Sequence, residues 1–326
     1  MPYELEKQVA IASVIQAAKL CVQIQQDRLA AAIEKPDFSP VTIADLGAQA
    51  IICQAIAAAF PQDVVVGEED AKLLRQPQMS EQLEQITAYV RIHVSEASAD
   101  RVLDWIDRGN GKVGDRFWTL DPIDGTKGFL RGDRYAIALA LIENGEVKLG
   151  VMGCPTLPLD LNQPQGERGV LFVAVKGQGA TQIALKTGAT QPILGARTAN
   201  KSNFRSTESV ESRHGNLPLQ RAIAQAVGMT AEPLSIDSMA KYAVVARGEA
   251  ALYLRLPWAE YPDYRENIWD HAAGAIVLEE AGGRVSDMYG KPLEFATNAK
   301  MLNNRGIIAS SSDIYDAVLA ALQEKV

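Results

Sequence analysis

The chain has 326 residues, 47% hydrophobic and 22% charged, with a formal net charge of −8. This length predicts a globular protein with a core large enough for two lobes, and the acidic balance argues against a non-specific nucleic-acid or membrane-surface binder, which needs a basic face. Cys21, Cys53 and Cys154 are far apart and form no CxxC, which argues against a disulfide framework or a thiolate metal site and predicts reduced core thiols.

Glu4, Glu6 and Lys7 precede any apolar run, unlike a signal peptide, and the longest uncharged run, Leu46 to Gln62, is too short and too polar to span a bilayer. A cytoplasmic protein is expected. Residues 3–34 lack Pro and Gly, and Ile11, Ile15, Ala18, Val22 and Leu29 share a stripe at helical spacing. That predicts one long amphipathic helix, ended at Lys35-Pro36-Asp37. A second helix over 43–59 follows Ser39-Pro40-Val41-Thr42 and stops at Phe60-Pro61, with Asp45 in its first turn, where an acid complements the helix dipole. Val64-Val65-Val66 reads as a short buried strand, and Gly67-Glu68-Glu69-Asp70 comes straight off its end. Acid runs usually mark a solvated face, but these leave an apolar strand rather than a polar loop. Residues 71–116 are polar and helix-prone, and are expected as an insertion between two core strands, a partly mobile flap.

The central stretch is Trp118 to Phe129. Phe117 to Leu120 read as the end of a buried strand, with Asp121 at its carboxyl end, where open α/β sheets place ligands. Pro122 fixes φ, Asp124 comes three residues after Asp121, and Gly125 permits a tight turn. Two carboxylates converging there repel by several kcal/mol unless a cation lies between them or one is protonated; a plain β-turn is the competing explanation. Strands are expected at 134–143 and 147–153, joined at Asn144-Gly145, and at 170–175 and 180–185. Thr156 to Arg168 reads as a linker between an N-terminal lobe, 1–156, and a C-terminal lobe, 157–326. Residues 187–216 read as polar loop. Helix 217–228, strand 232–236, helix 239–247 and strand 250–255 follow. Asp270 stands where the N-cap of the next helix belongs, and Gly282-Gly283 supply its stop. Strand 306–310 and helix 312–323 close the chain.

Asp45, Glu68, Asp121, Asp124 and Asp270 all fall at element ends and offer oxygen ligands suited to Mg²⁺, Mn²⁺ or Ca²⁺. The three histidines make no HxxxH, and neither GxxxxGK[ST] nor GxSxG occurs, so zinc hydrolases, P-loop NTPases and serine hydrolases are disfavoured. A carboxylate-rich Mg²⁺ site for phosphoryl transfer remains.

Asp121-Pro122-Ile123-Asp124-Gly125-Thr126, Gly67-Glu68-Glu69 and Trp269-Asp270-His271-Ala272-Ala273-Gly274 resemble, in order, the three metal-site motifs of the inositol monophosphatase superfamily. Within it, residues 121–132, 210–214, 237–242 and 253–257 are most similar to the 3'(2'),5'-bisphosphate nucleotidases. The resemblance implies an α/β fold, a fructose-1,6-bisphosphatase/inositol monophosphatase-like αβαβα sandwich. It implies that Glu68, Asp121, Asp124, Asp270 and the carbonyl of Ile123 hold two or three Mg²⁺ ions, Asp121 bridging two of them. Asp45 and the Thr126 hydroxyl would position the attacking water, and Gly125 and Thr126 would present backbone N–H groups to a phosphate. His214, Ser238, Lys241 and Arg255 would hold the nucleotide and its other phosphate. The implied reaction is in-line hydrolysis of the 3'-phosphate of adenosine 3',5'-bisphosphate to AMP and phosphate by a lithium-sensitive monomer. The alternatives are 3'-phosphoadenylyl sulfate or an inositol phosphate as substrate, or a nucleotide-binding sensor without turnover.

Overall fold

The computed structural model describes residues 2–27, 33–34, 40–195, 204–211, 215–258, 260–261 and 263–325. Helix α1 (Glu4–Gln26) ends well short of residue 34. Strand β1 (Ile33–Glu34) instead pairs antiparallel with β2 (Pro40–Val41). The core-facing stripe of α1 runs through Ala10, Val14, Ala17, Cys21 and Ile24. Of the expected stripe Ala18 is buried, but the rest is displaced by one residue: Ile11 and Ile15 pack at the margin, Val22 is half-buried, and Leu29 lies outside the described residues. Close approach explains the displacement. A Cβ on Gly47 would lie 3.1 Å from Leu20, and one on Gly153 would lie 2.8 Å from Val14, so the side of α1 with the smaller residues fits the tightest contact. Helix α2 (Ile43–Ala59) has the expected bounds, and Thr42 and Asp45 form a reciprocal capping box at its start.

The larger sheet has seven strands in chain order: β3 (Val64–Gly67), β4 (Arg116–Asp124), β5 (Ala136–Glu143), β6 (Glu146–Pro158), β7 (Arg168–Val175), β8 (Ala180–Ala184) and β9 (Thr190–Ile193). Only β3 and β4 pair in parallel; the rest form an antiparallel meander. At the β5–β6 turn, Asn144 and Gly145 both have positive φ, the conformation of a two-residue hairpin. The smaller sheet has the order β11 (Leu234–Ser235), β10 (Ser206–Glu208), β12 (Leu252–Arg255), β14 (Ile307–Ser311), β13 (Gly283–Ser286).

Strand alternation sorts the side chains into layers. Ile137, Leu139 and Leu141 of β5 join α1 and α2 in one core. Ala136, Ala138, Ala140 and Ile142, on the opposite face, join α7 (Ala240–Ala246) and α8 (Ala272–Glu280) in a second. Tyr253, Ile307 and Ala309 of the smaller sheet close that second core. Leu252, Leu254 and Ile308 face outward to α6 (Leu217–Ala226) and α9 (Tyr315–Gln323). The result is the expected αβαβα sandwich.

Three expectations are corrected. Residues 71–116 form no loose flap: α3 (Ser80–His93) and α4 (Ala99–Asp107) bury Ile86, Val90, Val102 and Ile106 in the first core. The parallel β3–β4 pair requires such a crossover. The segment 156–168 is no linker, because Leu159 N donates to Glu167 O at 2.9 Å within the β6–β7 connection of a single sheet. A lobe division at 156/157 therefore falls inside β6, and the larger sheet continues to Ile193. The polar loop 187–216 contains β9 and β10. All three cysteines are buried and unpaired, and among the described residues no helix is long and apolar enough to cross a membrane.

Candidate active site

The registers Val66↔Thr119 and Gly67↔Leu120 bring the carboxyl end of β3 level with Leu120 of β4, and Glu68 N donates to Leu120 O at 3.1 Å. Glu68 thus leaves the end of β3 beside Asp121, which lies within β4 and not past its end as expected, because the strand runs on to Asp124. On a regular strand, residues three apart point to opposite faces. The pairing of β4 with β5 is irregular between Asp121 and Asp124, where Pro122 offers no N–H to a ladder, and both carboxylates reach the same cavity of about 400 Å³. Gly125, at φ 91°, turns the chain into α5 (Thr126–Arg131). From the other side of the cavity comes Asp270, on a 3-10 turn (Ile268–Asp270) ahead of α8. It is not the expected N-cap. His271 occupies that position without a side-chain cap bond, and the Asp270 carboxylate accepts from Asn267 Nδ2 at 3.3 Å, so it stays at the cavity.

Oxygens of Asp121, Asp124 and Asp270 lie within 4.8 Å of one another. Burial first, then the charges of Glu68, Asp124 and Asp270, push the Asp121 carboxyl well above the usual carboxylate range. Burial and Asp270 push Asp124 up to about 6, against the pull of Lys241 and Arg255. Burial also raises Asp270, opposed by Arg255. Asp121 is 2% exposed, and its Oδ1 is buried with no hydrogen-bond partner. An unpartnered buried carboxylate oxygen among like charges is costly. A hard divalent cation with an oxygen donor set would answer it. The residues present therefore fit a metal ion, and Ile123, which also lines the cavity, can add its carbonyl.

Beside this cluster Thr126 Oγ1 lies 3.4 Å from Asp45 Oδ1 and 3.2 Å from Ile123 O. Asp45 is fully buried. Its Oδ2 accepts from Thr42 N at 2.8 Å and from Thr42 Oγ1 at 2.5 Å, so the capping box that starts α2 also fixes the carboxylate behind Thr126.

The residues expected to hold the nucleotide divide. Ser238 lines the cavity at φ 72°, and its Oγ accepts from Ala240 N at 3.2 Å; the next residue, Met239, donates its N–H to Asp124 Oδ2. Arg255 lines the cavity as well. Lys241 is only 3% exposed and lies behind the wall. Its Nζ donates to Ser209 Oγ at 3.2 Å and Ile236 O at 3.3 Å and sits 5.2 Å from the centre of the Tyr253 ring; burial lowers its pKa to about 8. His214 lies outside the described residues.

Sequence reasoning missed Glu266, which accepts from Arg255 Nε at 2.8 Å. Burial alone would raise its pKa, but Arg255 and His271 reverse the effect and hold it below the usual value. It also missed Asp237, which accepts from Arg131 of α5 and, at 3.0 Å, from Val210 N. Glu266 lies four residues before Asp270 and so was within reach of a local motif. The Arg131–Asp237 pair, 106 positions apart, had no local signal.

The chain belongs to the inositol monophosphatase family, whose model matches residues 3–326. At finer grain it is 42% identical over 340 residues to the 3'(2'),5'-bisphosphate nucleotidase of Schizosaccharomyces pombe, covering 98% of this chain and 96% of that protein. It is 40% identical over 344 residues to the 3'(2'),5'-bisphosphate nucleotidase of Oryza sativa, covering 100% of this chain and 95% of the relative. Among solved structures it is similar to an IMPase of Thermotoga maritima, with a TM-score of 0.64, 24% identity and coverage of 98% and 96%. It is also similar to CysQ of Bacteroides thetaiotaomicron, with a TM-score of 0.60, 21% identity and coverage of 95% and 98%. These two likenesses bear on the fold.

Proposed function

We propose that the protein is a Mg²⁺-dependent, lithium-sensitive phosphatase that hydrolyses the 3'-phosphate of adenosine 3',5'-bisphosphate, giving AMP and phosphate. The observation that carries the chemistry is the unpartnered Asp121 Oδ1 among the Asp124 and Asp270 oxygens, with Thr126 and Asp45 alongside. The substrate rests on full-length similarity at 42% identity to a bisphosphate nucleotidase.

Glu68, Asp121, Asp124, Asp270 and the Ile123 carbonyl would hold the cations. When bound, they lower the pKa of a nearby water and offset charge on the phosphoryl group. The Thr126 hydroxyl has one proton, which it gives to Asp45 Oδ1 or Ile123 O; its lone pairs then accept from the attacking water and aim it. As the water attacks, a proton can pass through Thr126 to Asp45, which Thr42 holds in place. Arg255 meets the phosphate that does not react, and Ser238 and Gly125 shape the wall between the two phosphates. Lys241 supplies positive potential from behind that wall.

The test is phosphate release from adenosine 3',5'-bisphosphate, 3'-phosphoadenylyl sulfate and inositol monophosphate at equal concentration, with and without Mg²⁺. Release confined to Mg²⁺ and fastest on the bisphosphate supports the reading. Tight binding without product, or preference for the inositol ester, overturns it.

A further inference from the structure

Arg255 shares its cavity with six acids, Glu68, Asp121, Asp124 and Asp270 together with Glu211 and Asp237, and unopposed Coulomb attraction to the first four would draw its guanidinium onto them. Two contacts prevent this. Its Nε–H donates to Glu266 Oε1 at 2.8 Å, and its Nη2 donates to the Tyr264 hydroxyl at 3.3 Å. A guanidinium is a rigid planar fork of five N–H groups, so anchoring the Nε edge leaves the remaining donors to meet two oxygens of one phosphate. Glu266 is itself held. It is 7% exposed, and its Oε2 faces His271 Nε2 at 3.4 Å. His271 is wholly buried and meets the Tyr242 hydroxyl through Nδ1 at 2.9 Å. Glu266, Asp270 and His271 also have the spacing of a metal site, but both Glu266 oxygens are already engaged.

We propose that Glu266, backed by His271 and Tyr242, is a positioning residue that fixes the orientation of Arg255 toward the non-reacting phosphate, and so sets selectivity for a bisphosphate over a monophosphate. This rests on the adenosine bisphosphate reading above. Glu266 touches neither the reacting phosphorus nor the water; it acts through Arg255.

The experiment compares steady-state kinetics on adenosine 3',5'-bisphosphate and adenosine 3'-monophosphate for wild type, Glu266→Gln, Arg255→Lys and the double variant, with a Mg²⁺ titration of each. Glu266→Gln is expected to raise KM for the bisphosphate about tenfold, with kcat within about threefold, and to lower the bisphosphate-to-monophosphate ratio of kcat/KM by the same tenfold. In the Arg255→Lys background, Glu266→Gln is expected to change that ratio by less than about twofold, since residues acting through one another are non-additive. Equal loss on both substrates, additive effects, or a raised Mg²⁺ requirement on both substrates overturns the proposal; the last would place Glu266 among the cation ligands. If Glu266→Gln does not fold, Glu266→Asp keeps the charge but draws the carboxylate back from Arg255 Nε; lower selectivity there supports the proposal and unaltered selectivity refutes it. A wild-type enzyme with no preference for the bisphosphate refutes the functional reading instead, and is seen before any variant is made.

Discussion

Without a cation, the acid cluster should make the protein lose stability as pH rises, and Asp124→Asn should remove much of that loss. Asp124 is pushed from 3.8 up to about 6. A carboxyl whose folded pKa lies above its unfolded value is fully stabilising below the unfolded pKa, near 4. That contribution is lost as pH climbs through the folded value near 6. Two units correspond to roughly 3 kcal/mol at neutral pH, or a depression of about 6–12 °C in Tm for a chain of about 150–250 residues and somewhat less for one of this length. Asn keeps an acceptor for the Met239 N–H but cannot ionise. Thermal melts in EDTA from pH 4 to 8 should show the variant gaining on wild type between about pH 4 and 6 and holding its full advantage above about pH 6. Saturating Mg²⁺ should restore the wild type at pH 7.5 and have little effect at pH 4.5. If wild type and variant kept parallel pH profiles in EDTA, the carboxylates would not be crowded as described.

Asp121→Asn should lower turnover by more than ~10³-fold, since it removes a charge from the centre of the cluster; near-full activity in a phosphate-release assay would dismiss its role. Thr126→Ala should lower kcat by about 10²-fold or more with KM little altered, because it removes the link between water and Asp45; a change confined to KM would contradict this. Gly274→Ala places a Cβ 2.4 Å from Tyr242 Cδ2 and should cost about 1–3 kcal/mol by overpacking, measured as a lowered urea midpoint; an unshifted midpoint would show that α7 and α8 can move apart.

Much of the fold was readable because apolar spacing carries it. The bounds of α2 follow from Thr42 and Phe60-Pro61, and β5 alternates so regularly that its two faces enter different cores. The acids of the site were readable because each lies at or near the end of an element, although Asp121 sits within β4, which runs on to Asp124. What failed depended on partners distant in sequence. The stripe on α1 was offset because the choice between two neighbouring apolar faces is made by how closely β6 and α2 approach, at Gly153 and Gly47. Asp270 was misassigned as a cap because an acid before a helix looks the same whether it faces an N–H or a cavity. The helices of 71–116 seemed detached because their polar faces dominate the composition, while the few residues that bury them, Ile86, Val90, Val102 and Ile106, meet the core only in three dimensions. Strand β13 is short and begins at glycine, and gave no alternation to detect.

The acids come from opposite sides of a seam. Glu68, Asp121 and Asp124 ride on the larger sheet, while Asp270 rides on the turn into α8, wedged between the sheets. Catalytic competence is therefore a late product of folding, since neither half holds a whole ligand set until the sandwich has closed. In a refolding experiment, recovered turnover should trail recovered helix and sheet, and added divalent ion should act as a clasp that resists their separation.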